Sequence, residues 1–228
     1  MGFFVTATDT NVGKTYFLSL LLKFLVFKGI QPSAMKPIET GCAEKDGTLF
    51  PEDGYKIAEA LGCPDKLNQI CPLRFKYPLA PYVCSEIENK QIDIEFIKDK
   101  ISALKEPFFI EGAGGLLVPV KENYFMIDLA KDFNLNVILV SPLRLGTINH
   151  TLLSIEALQR RDIKISGVIL NDNDGIETMA TKTNPETLKK FTEVNILGVL
   201  PFRFSNYQNL DKYINLSWLI NPDCSYPV

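Results

Sequence analysis

Short apolar runs alternate along this chain with longer segments that have a helical pattern. The short runs are apolar throughout, which is typical of strands whose two faces are both covered by helices. Because strand and helix alternate repeatedly, the pattern predicts an α/β fold with a doubly wound, mostly parallel sheet. We expect a single domain over residues 1–228. The predicted strands are Phe3–Thr6, Ser33–Lys36, Phe108–Ile110, Val137–Val140, Gly167–Leu170 and Leu197–Leu200.

Three helices are predicted from apolar residues that recur at helical spacing. One of them covers Tyr55–Leu61, within a stretch rich in Gly, Pro and Cys (Glu39–Pro81) that we expect to lie over the edge of the sheet. The other two are predicted to bury one face each, formed by Phe17, Leu18, Leu21, Leu22 and Leu25 in the first and by Leu152, Leu153, Ile155 and Leu158 in the second.

The first predicted strand runs directly into a turn that ends in Gly13-Lys14-Thr15 and then into a helix. Backbone N–H groups at such a helix start form a concave site for phosphate oxygens. Lys14 can reach the outer phosphates and the Thr15 hydroxyl can hold Mg²⁺. The usual phosphate-binding loop has Gly where this chain has Thr8, but strand, turn and helix together predict nucleotide binding and a P-loop NTPase-like fold.

Charged residues follow other predicted strands, where ligands bind in parallel sheets. Lys36 closes one strand, and either it points into the cleft or its amine reaches solvent. Glu111 follows another strand and precedes small residues, so it is either a metal ligand beside phosphates or an exposed side chain in a glycine turn. Asp53 is either a metal ligand, in competition with Glu52, or the N-cap of the helix that follows it.

Two further segments end strands on the same predicted edge. The segment Gly146–Thr151 begins a helix and offers a second anion site, although its side chains also suit ordinary capping. Asn171-Asp172 is either a pair that reads a purine edge or a simple turn.

The overall composition excludes several classes of protein. The net charge of -3 argues against a nucleic-acid partner. We find no apolar run long enough to span a bilayer, so we expect no membrane partner. The number of cysteines is five, which is odd, and none of them has C-x-x-C spacing. Free thiols in a reducing cytoplasm are therefore expected.

Taken together, the motifs resemble those of the dethiobiotin synthase family, the ATP-dependent ligases of biotin synthesis. They span nearly the whole chain in the family's order. The matching residues are Thr8-Asp9-Thr10, Val12-Gly13-Lys14-Thr15, Lys36-Pro37, Asp53, Glu111-Gly112-Ala113-Gly114-Gly115, Gly146, Ile148-Asn149-His150, Asn171-Asp172, Gly198, Pro201 and Lys212-Tyr213-Ile214-Asn215-Leu216.

The resemblance implies a reaction in which CO₂ and 7,8-diaminopelargonate form a carbamate, ATP phosphorylates it, and the second amine closes the ureido ring. It implies Mg²⁺ as cofactor and a homodimer in which Gly146–His150 of one subunit receives the substrate carboxylate bound mainly by the other. An apolar groove near Leu117, Val118 and Pro119 would hold the substrate chain.

The resemblance also implies which residues do this work. It gives catalytic roles to Lys36, Lys14 and Thr10, and a Mg²⁺ site to Thr15, Asp53 and Glu111. The nucleotide-binding residues would be Asn11, Val12, Gly13, Lys14, Thr15, Tyr16, Asp53, Glu111, Gly112, Ala113, Gly114, Asn171, Asp172 and Pro201. The substrate-binding residues would be Thr40, Gly115, Leu117, Gly146, Thr147, Ile148 and Asn149.

Two alternatives share the phosphate-binding loop. A ParA- or MinD-like ATPase switch carries a signature lysine where this chain has Asp9, and an amidotransferase synthetase domain needs an ammonia source that is not attached here. The chain also departs from the family it resembles, which usually has Gly at the position of Ala7 and often Glu at that of Asn11. These departures, together with an unfamiliar tail (Ser217–Val228), leave the nucleotide preference open.

Overall fold

A computed structural model describes residues 1–220 of the chain, and the last part of the tail, with Cys224, lies outside the described residues. Two 3₁₀ helices, Pro64–Lys66 and Tyr207–Lys212, accompany the strands and α-helices. The elements in chain order are β1 (Gly2–Ala7), α1 (Lys14–Phe27), β2 (Ser33–Met35), β3 (Ile38–Glu39), β4 (Ala43–Lys45), β5 (Thr48–Phe50), α2 (Glu52–Ala60), α3 (Leu67–Ile70), β6 (Leu73–Arg74), α4 (Pro81–Ile87), α5 (Ile94–Ser102), β7 (Phe108–Gly115), β8 (Pro119–Lys121), β9 (Tyr124–Phe125), α6 (Met126–Asp132), β10 (Asn136–Pro142), α7 (Thr147–Gln159), β11 (Ile165–Asn171), α8 (Met179–Phe191), β12 (Ile196–Leu200) and α9 (Ser217–Ile220).

The central sheet has six parallel strands in the order β12-β11-β10-β1-β7-β2, which confirms the predicted strands and fold class. The chain moves from β1 to the far edge at β2, returns to β7, and then crosses to β10 on the other side of β1. The order therefore reverses beside β1, and the crevice at the carboxyl ends of such strands is where ligands bind in open α/β sheets.

Side chains of β1 alternate between two cores, because successive residues of a strand point to opposite faces. Phe3 and Val5 pack with α1 and with Trp218 of α9, while Phe4 packs on the other face with α5 and α6. The predicted apolar face of α1 is fully buried as expected. The prediction for α7 is only partly right, because Ile155 and Leu158 are buried but Leu153 is exposed.

Three further features bear on the sequence predictions. The stretch Glu39–Pro81 holds the short strands β3 to β6 and the helices α2 and α3, which had been predicted only in part. The four described cysteines are free, as expected for those residues. Among residues 1–220, no helix is both long and apolar enough to cross a membrane.

Candidate active site

The loop between β1 and α1 is fixed by hydrogen bonds from neighbouring strands. The Thr8 N–H donates to the Val140 carbonyl at 3.1 Å. Asn171 Nδ2 donates to the Val12 carbonyl at 2.9 Å, and Asn173 Nδ2 to that of Asn11 at 3.1 Å. With its carbonyls held from behind, the loop presents the N–H groups of the first turn of α1, which have no intrahelical partner, to an anion.

Gly13 is required by the position of Asn171. Its φ is 101°, in the left-handed region, and a Cβ there would lie 2.1 Å from Asn171 Nδ2. Only glycine fits both conditions. The second polar atom of the Asn171 side chain, Oδ1, is buried and has no hydrogen-bond partner among the described residues. An unpaired buried acceptor is costly, so this oxygen suits a ligand that brings a donor.

Lys14 and Thr15 open α1 and line the same cavity. Lys14 Nζ donates to the Asp9 carbonyl of its own loop at 3.4 Å. Burial is the largest influence and lowers the pKa of Lys14, although the Glu111 carboxylate acts in the opposite direction. The Thr15 hydroxyl donates to Glu111 Oε1 at 2.6 Å, so strand β7 and the phosphate-binding loop meet at this bond.

Lys36, directly after β2, is 4% exposed, so the interpretation as a surface lysine is wrong. Its Nζ lies 2.6 Å from Asp53 Oδ2 and 2.7 Å from Glu111 Oε1. Burial would lower the pKa of Lys36, but the Glu111 and Asp53 carboxylates outweigh it, and the pKa lies well above its ordinary value. Lys36 therefore carries its charge into a buried site throughout the physiological pH range.

Asp53 lies in the first turn of α2, whose N-cap is Pro51, so its interpretation as an N-cap is wrong. Of the two competing carboxylates, Asp53 contacts Lys36, whereas Glu52 is exposed. Burial would raise the pKa of Asp53, but the Lys36 ammonium outweighs burial and holds the pKa below its ordinary value. The carboxylate is thus ionised and faces the cavity.

The segment that begins at Glu111 passes close to the loop. Glu111 is fully buried, so its interpretation as an exposed side chain is wrong, and its Oε2 has no partner among the described residues. A Cβ on Gly112 would lie 2.9 Å from the Phe4 ring, and one on Gly114 would lie 2.8 Å from Val118 and 3.6 Å from Thr10 Oγ1. Small residues here let the strand approach the nucleotide loop.

Most of these residues line one cavity of about 330 Å³, but Glu111, Gly112 and Asn171 are not part of its lining. It brings together most of the residues predicted for nucleotide and catalysis, and its lining is Thr10, Asn11, Gly13, Lys14, Thr15, Tyr16, Lys36, Glu39, Thr40, Asp53, Lys56, Ala113 and Gly114. A second groove of about 420 Å³ shares Thr10 with it and is mostly apolar. Its lining includes the predicted Gly115 and Leu117 and is completed by Thr8, Asp9, Ala80, Leu116, Val118, Pro119, Leu153, Ser154 and Ala157.

Other predicted residues lie outside both spaces. The range 146–149 starts α7, whose middle lines the second groove, and the Thr147 hydroxyl bonds Ser141 Oγ at 2.7 Å. The Asp172 carboxylate accepts the Gly175 N–H at 2.8 Å, which supports the turn interpretation. Pro201 follows β12, and its carbonyl accepts the Phe204 N–H at 3.2 Å.

Two cavity residues, Glu39 and Lys56, were missed by sequence reasoning. Glu39 is 6% exposed, and its carboxylate accepts the backbone N–H groups of Asp53 and Gly54. Lys56 Nζ lies 3.6 Å from Asp53 Oδ1 on the more exposed side. The sequence does hold one indication of a buried Glu39, because this residue follows Lys36 closely, after Pro37 and Ile38. A single charged residue there does not reveal which groups it contacts.

A family model described as an AAA domain matches residues 1–205. The ATP-dependent dethiobiotin synthetase of Thermodesulfovibrio yellowstonii is 43% identical over 212 residues, which cover 88% of this chain and 88% of the relative. The enzyme of the same name from Methanocaldococcus jannaschii is 38% identical over 208 residues, covering 88% of this chain and 94% of the relative.

Solved structures show a likeness of fold. A ParA family ATPase from Chlorobium tepidum has a TM-score of 0.52 at 14% identity, covering 98% of this chain and 93% of its own. The MinD cell division protein of Aquifex aeolicus also has a TM-score of 0.52 at 14% identity, covering 96% of this chain and 93% of its own. At this identity the likeness concerns the α/β fold alone.

Proposed function

The chain belongs to the family of ATP-dependent dethiobiotin synthetases, and from that premise we propose that it closes the ureido ring of dethiobiotin from 7,8-diaminopelargonate, CO₂ and ATP. The observation that carries the proposal is the convergence of Lys14 and Lys36 on one cavity. Lys14 opens α1 and contacts the Asp9 carbonyl of the loop that follows β1, whereas Lys36 follows β2 and pairs with Glu111. A reaction between two anionic groups needs such a pair.

In the first step, one amine of the substrate adds to CO₂ and loses a proton, which gives a carbamate. A carbamate oxygen then attacks the γ-phosphorus of ATP, the bond to the β-phosphate oxygen breaks, and ADP leaves. The second amine attacks the carbonyl carbon of the mixed anhydride, the bond from that carbon to the phosphate oxygen breaks, and the nitrogen loses a proton to solvent as the ring closes and phosphate leaves. No side chain acts as a nucleophile, so the protein contributes positioning and charge.

The roles follow from where the cations and hydroxyls lie. Lys14, in the phosphate-binding loop, would hold the β- and γ-phosphates of ATP. Lys36 would neutralise the carbamate and the transferring phosphoryl group from the opposite wall. The hydroxyls of Thr10 and Thr40 line the same cavity and would donate hydrogen bonds to the carbamate.

The donor set also fits Mg²⁺, which prefers hard oxygen ligands and usually combines one or two carboxylates with phosphate and water. Thr15, Asp53 and Glu111 would hold it, and Glu111 Oε2 is a buried oxygen without a partner among the described residues. Within residues 1–220 there is no group of three or more His, Cys, Asp and Glu that would hold a metal alone. The ion would neutralise charge on the β- and γ-phosphates.

The base of the nucleotide would lie beyond the phosphate-binding loop, next to Asn171. The unpaired Oδ1 of Asn171 would accept a hydrogen bond from an exocyclic amine, and the segment at Pro201 would border the ring. Asp172 would act mainly through the turn that its carboxylate holds.

The second groove would hold the apolar chain of the substrate, because it is lined mainly by aliphatic residues and joins the reaction cavity at Thr10.

The substrate carboxylate would bind at the start of α7 of a partner subunit, in a cytoplasmic homodimer. Leu145, just before α7, lines one groove together with Ile176 and Met179, and these side chains are 87%, 60% and 75% exposed. A second copy would cover them. We also propose that the protein binds neither nucleic acid nor a membrane.

Measuring ATP hydrolysis separates this proposal from an ATPase switch of the ParA or MinD kind. Purified protein is given ATP and Mg²⁺ with diaminopelargonate and bicarbonate, with DNA, or with vesicles of anionic lipid. We expect phosphate release to depend on diaminopelargonate and to be unaffected by DNA and by the vesicles. Stimulation by DNA or lipid without a response to the diamine would overturn the assignment.

A further inference from the structure

The start of α2 has no capping side chain of its own. Its N-cap is Pro51, which makes no side-chain cap hydrogen bond. A carboxylate from strand β3 takes that place: Glu39 Oε1 accepts the Asp53 N–H at 3.0 Å and Glu39 Oε2 accepts the Gly54 N–H at 2.8 Å. Both oxygens therefore bond first-turn N–H groups that would otherwise lack a partner.

The contact leaves little freedom for α2 to shift. A Cβ on Gly54 would lie 2.6 Å from Cys71 Cβ and 3.5 Å from Glu39 Oε2, so the glycine backbone fits closely between them. The Cys71 thiol makes a long contact, 3.8 Å, to the same oxygen. The first turn of α2 is therefore held in one place relative to β3.

Glu39 is more buried than helix capping alone requires. Burying a carboxylate costs free energy, and exposed residues cap helices well, as Asp93 does for α5 by accepting the Phe96 N–H at 3.1 Å. Burial raises the pKa of Glu39, although the Lys36 charge opposes this. A buried cap is explained if the position of the capped residue, Asp53, must be set closely.

We propose that Glu39 is a positioning residue for the metal end of the site, which holds the Asp53 carboxylate towards Lys36 and the phosphates. The inference rests on the proposed function, because it takes Asp53 as a ligand of Mg²⁺. Glu39 also precedes Thr40, so one short strand sets both the metal ligand and a hydroxyl for the carbamate. Residues that orient a metal ligand typically change metal affinity 10- to 100-fold when they are replaced.

The test measures binding of Mn²⁺, a paramagnetic substitute for Mg²⁺, by electron paramagnetic resonance in the presence of ADP. We compare wild type, Glu39→Ala, Asp53→Asn and the double variant. We expect Glu39→Ala to weaken Mn²⁺ binding roughly tenfold. In the double variant, Glu39→Ala should add less than about twofold to the loss caused by Asp53→Asn, because effects that act through one residue are not additive.

Asp93→Ala is the matched control, since it removes a carboxylate cap from a helix outside the site and should leave Mn²⁺ affinity unchanged. Glu39→Gln, which keeps one acceptor oxygen, is measured in parallel and should give a smaller loss even where Glu39→Ala does not fold. Unchanged Mn²⁺ affinity in both Glu39 variants, or full additivity with Asp53→Asn, would overturn the inference. Failure of the ligase assignment would appear separately, as wild-type protein that binds Mn²⁺ with ADP but makes no dethiobiotin.

Discussion

The two lysines of the cavity are held by different partners. Lys14 contacts the Asp9 carbonyl of the loop from which it arises, whereas Lys36 reaches across to carboxylates on α2 and β7. The phosphate-binding loop is complete without Lys36, because its hydrogen bonds come from β10 and β11. We therefore assign nucleotide affinity mainly to Lys14 and stabilisation of the transferring group to Lys36.

Replacing each lysine by alanine tests this division. Lys36→Ala should bind ADP nearly as wild type does but lose roughly 10²-fold in turnover, the scale of one removed electrostatic stabiliser. Lys14→Ala should lose both ADP affinity and turnover. Lys23→Ala, on the exposed side of α1, should keep both. Calorimetry and turnover are measured on all three. Equal loss of ADP affinity in the Lys14 and Lys36 variants would contradict the division.

Lys36 also links stability to pH. Its pKa is higher in the folded protein than its ordinary 10.5, so its stabilising effect is present below that value and is lost only as the pH rises above it. Lys36→Met leaves the buried Glu111 without its cation and Asp53 with only the exposed Lys56, and should lower the free energy of unfolding by about 3 kcal/mol. Urea unfolding should give the same difference from wild type between about pH 6 and pH 9. A difference that shrinks within this range would show that Lys36 is not held in its charged form.

Among the elements, α7 is the one whose start we propose as a second anion site. Its start is fastened by hydroxyls, since Ser141 Oγ lies 2.7 Å from the Thr147 hydroxyl and 2.8 Å from that of Thr151. The Thr147 N–H contacts the Arg144 carbonyl at 3.3 Å. The N–H groups left for a ligand are therefore those of Ile148 and Asn149, which have no intrahelical partner at this end of a helix.

Placing a negative charge at this helix start should repel the substrate carboxylate. Asn149→Asp favours the helix itself, because a carboxylate complements the dipole there, so folding should be preserved. We expect the KM for diaminopelargonate to rise about tenfold, a difference of ~1.4 kcal/mol, while the KM for ATP stays within about twofold. Gln159→Glu makes the same chemical change at the other end of α7 and serves as control. An equal rise in both KM values would contradict the assignment.

The central strands were predictable because each is a continuous apolar run that must be buried on both faces. The short strands β3 to β6 were not, because two or three residues become a strand only when a distant segment pairs with them. The exposure of Leu153 has a similar origin. It fits the helical pattern, but its side chain faces the second groove instead of packing into the core.

The clustering of site residues at strand ends was also predictable, because parallel strands bring their carboxyl ends to one edge of the sheet. Lys36 and Glu111 indeed meet there, and Asp53 joins them from the first turn of α2. Their pairing was not predictable, because it depends on how α2 lies against β7. The role of Glu39 depends on the same docking of α2, so spacing along the chain does not reveal it.

For the molecule as a whole, the start of α7 does not line the reaction cavity of its own chain, as the proposed sharing of the site between subunits would require. Leu145→Asp places a charge in the exposed apolar surface beside it. We expect this variant to shift from dimer towards monomer in light scattering and to lose substrate affinity in parallel. Phe191→Asp changes an apolar side chain that is also exposed, at the end of α8, and should do neither. A fully active monomer would end the shared-site proposal.

The central claim is that the cavity closes a ureido ring from CO₂ and a diamine and uses ATP to do so. The most direct measurement supplies ¹³C-bicarbonate, ATP, Mg²⁺ and diaminopelargonate to the purified protein and reads the product by mass spectrometry beside released phosphate. We predict dethiobiotin that carries the label in its ureido carbon, formed in equal amount to phosphate. Phosphate released without labelled dethiobiotin, or at a rate that does not depend on the diamine, would contradict the account.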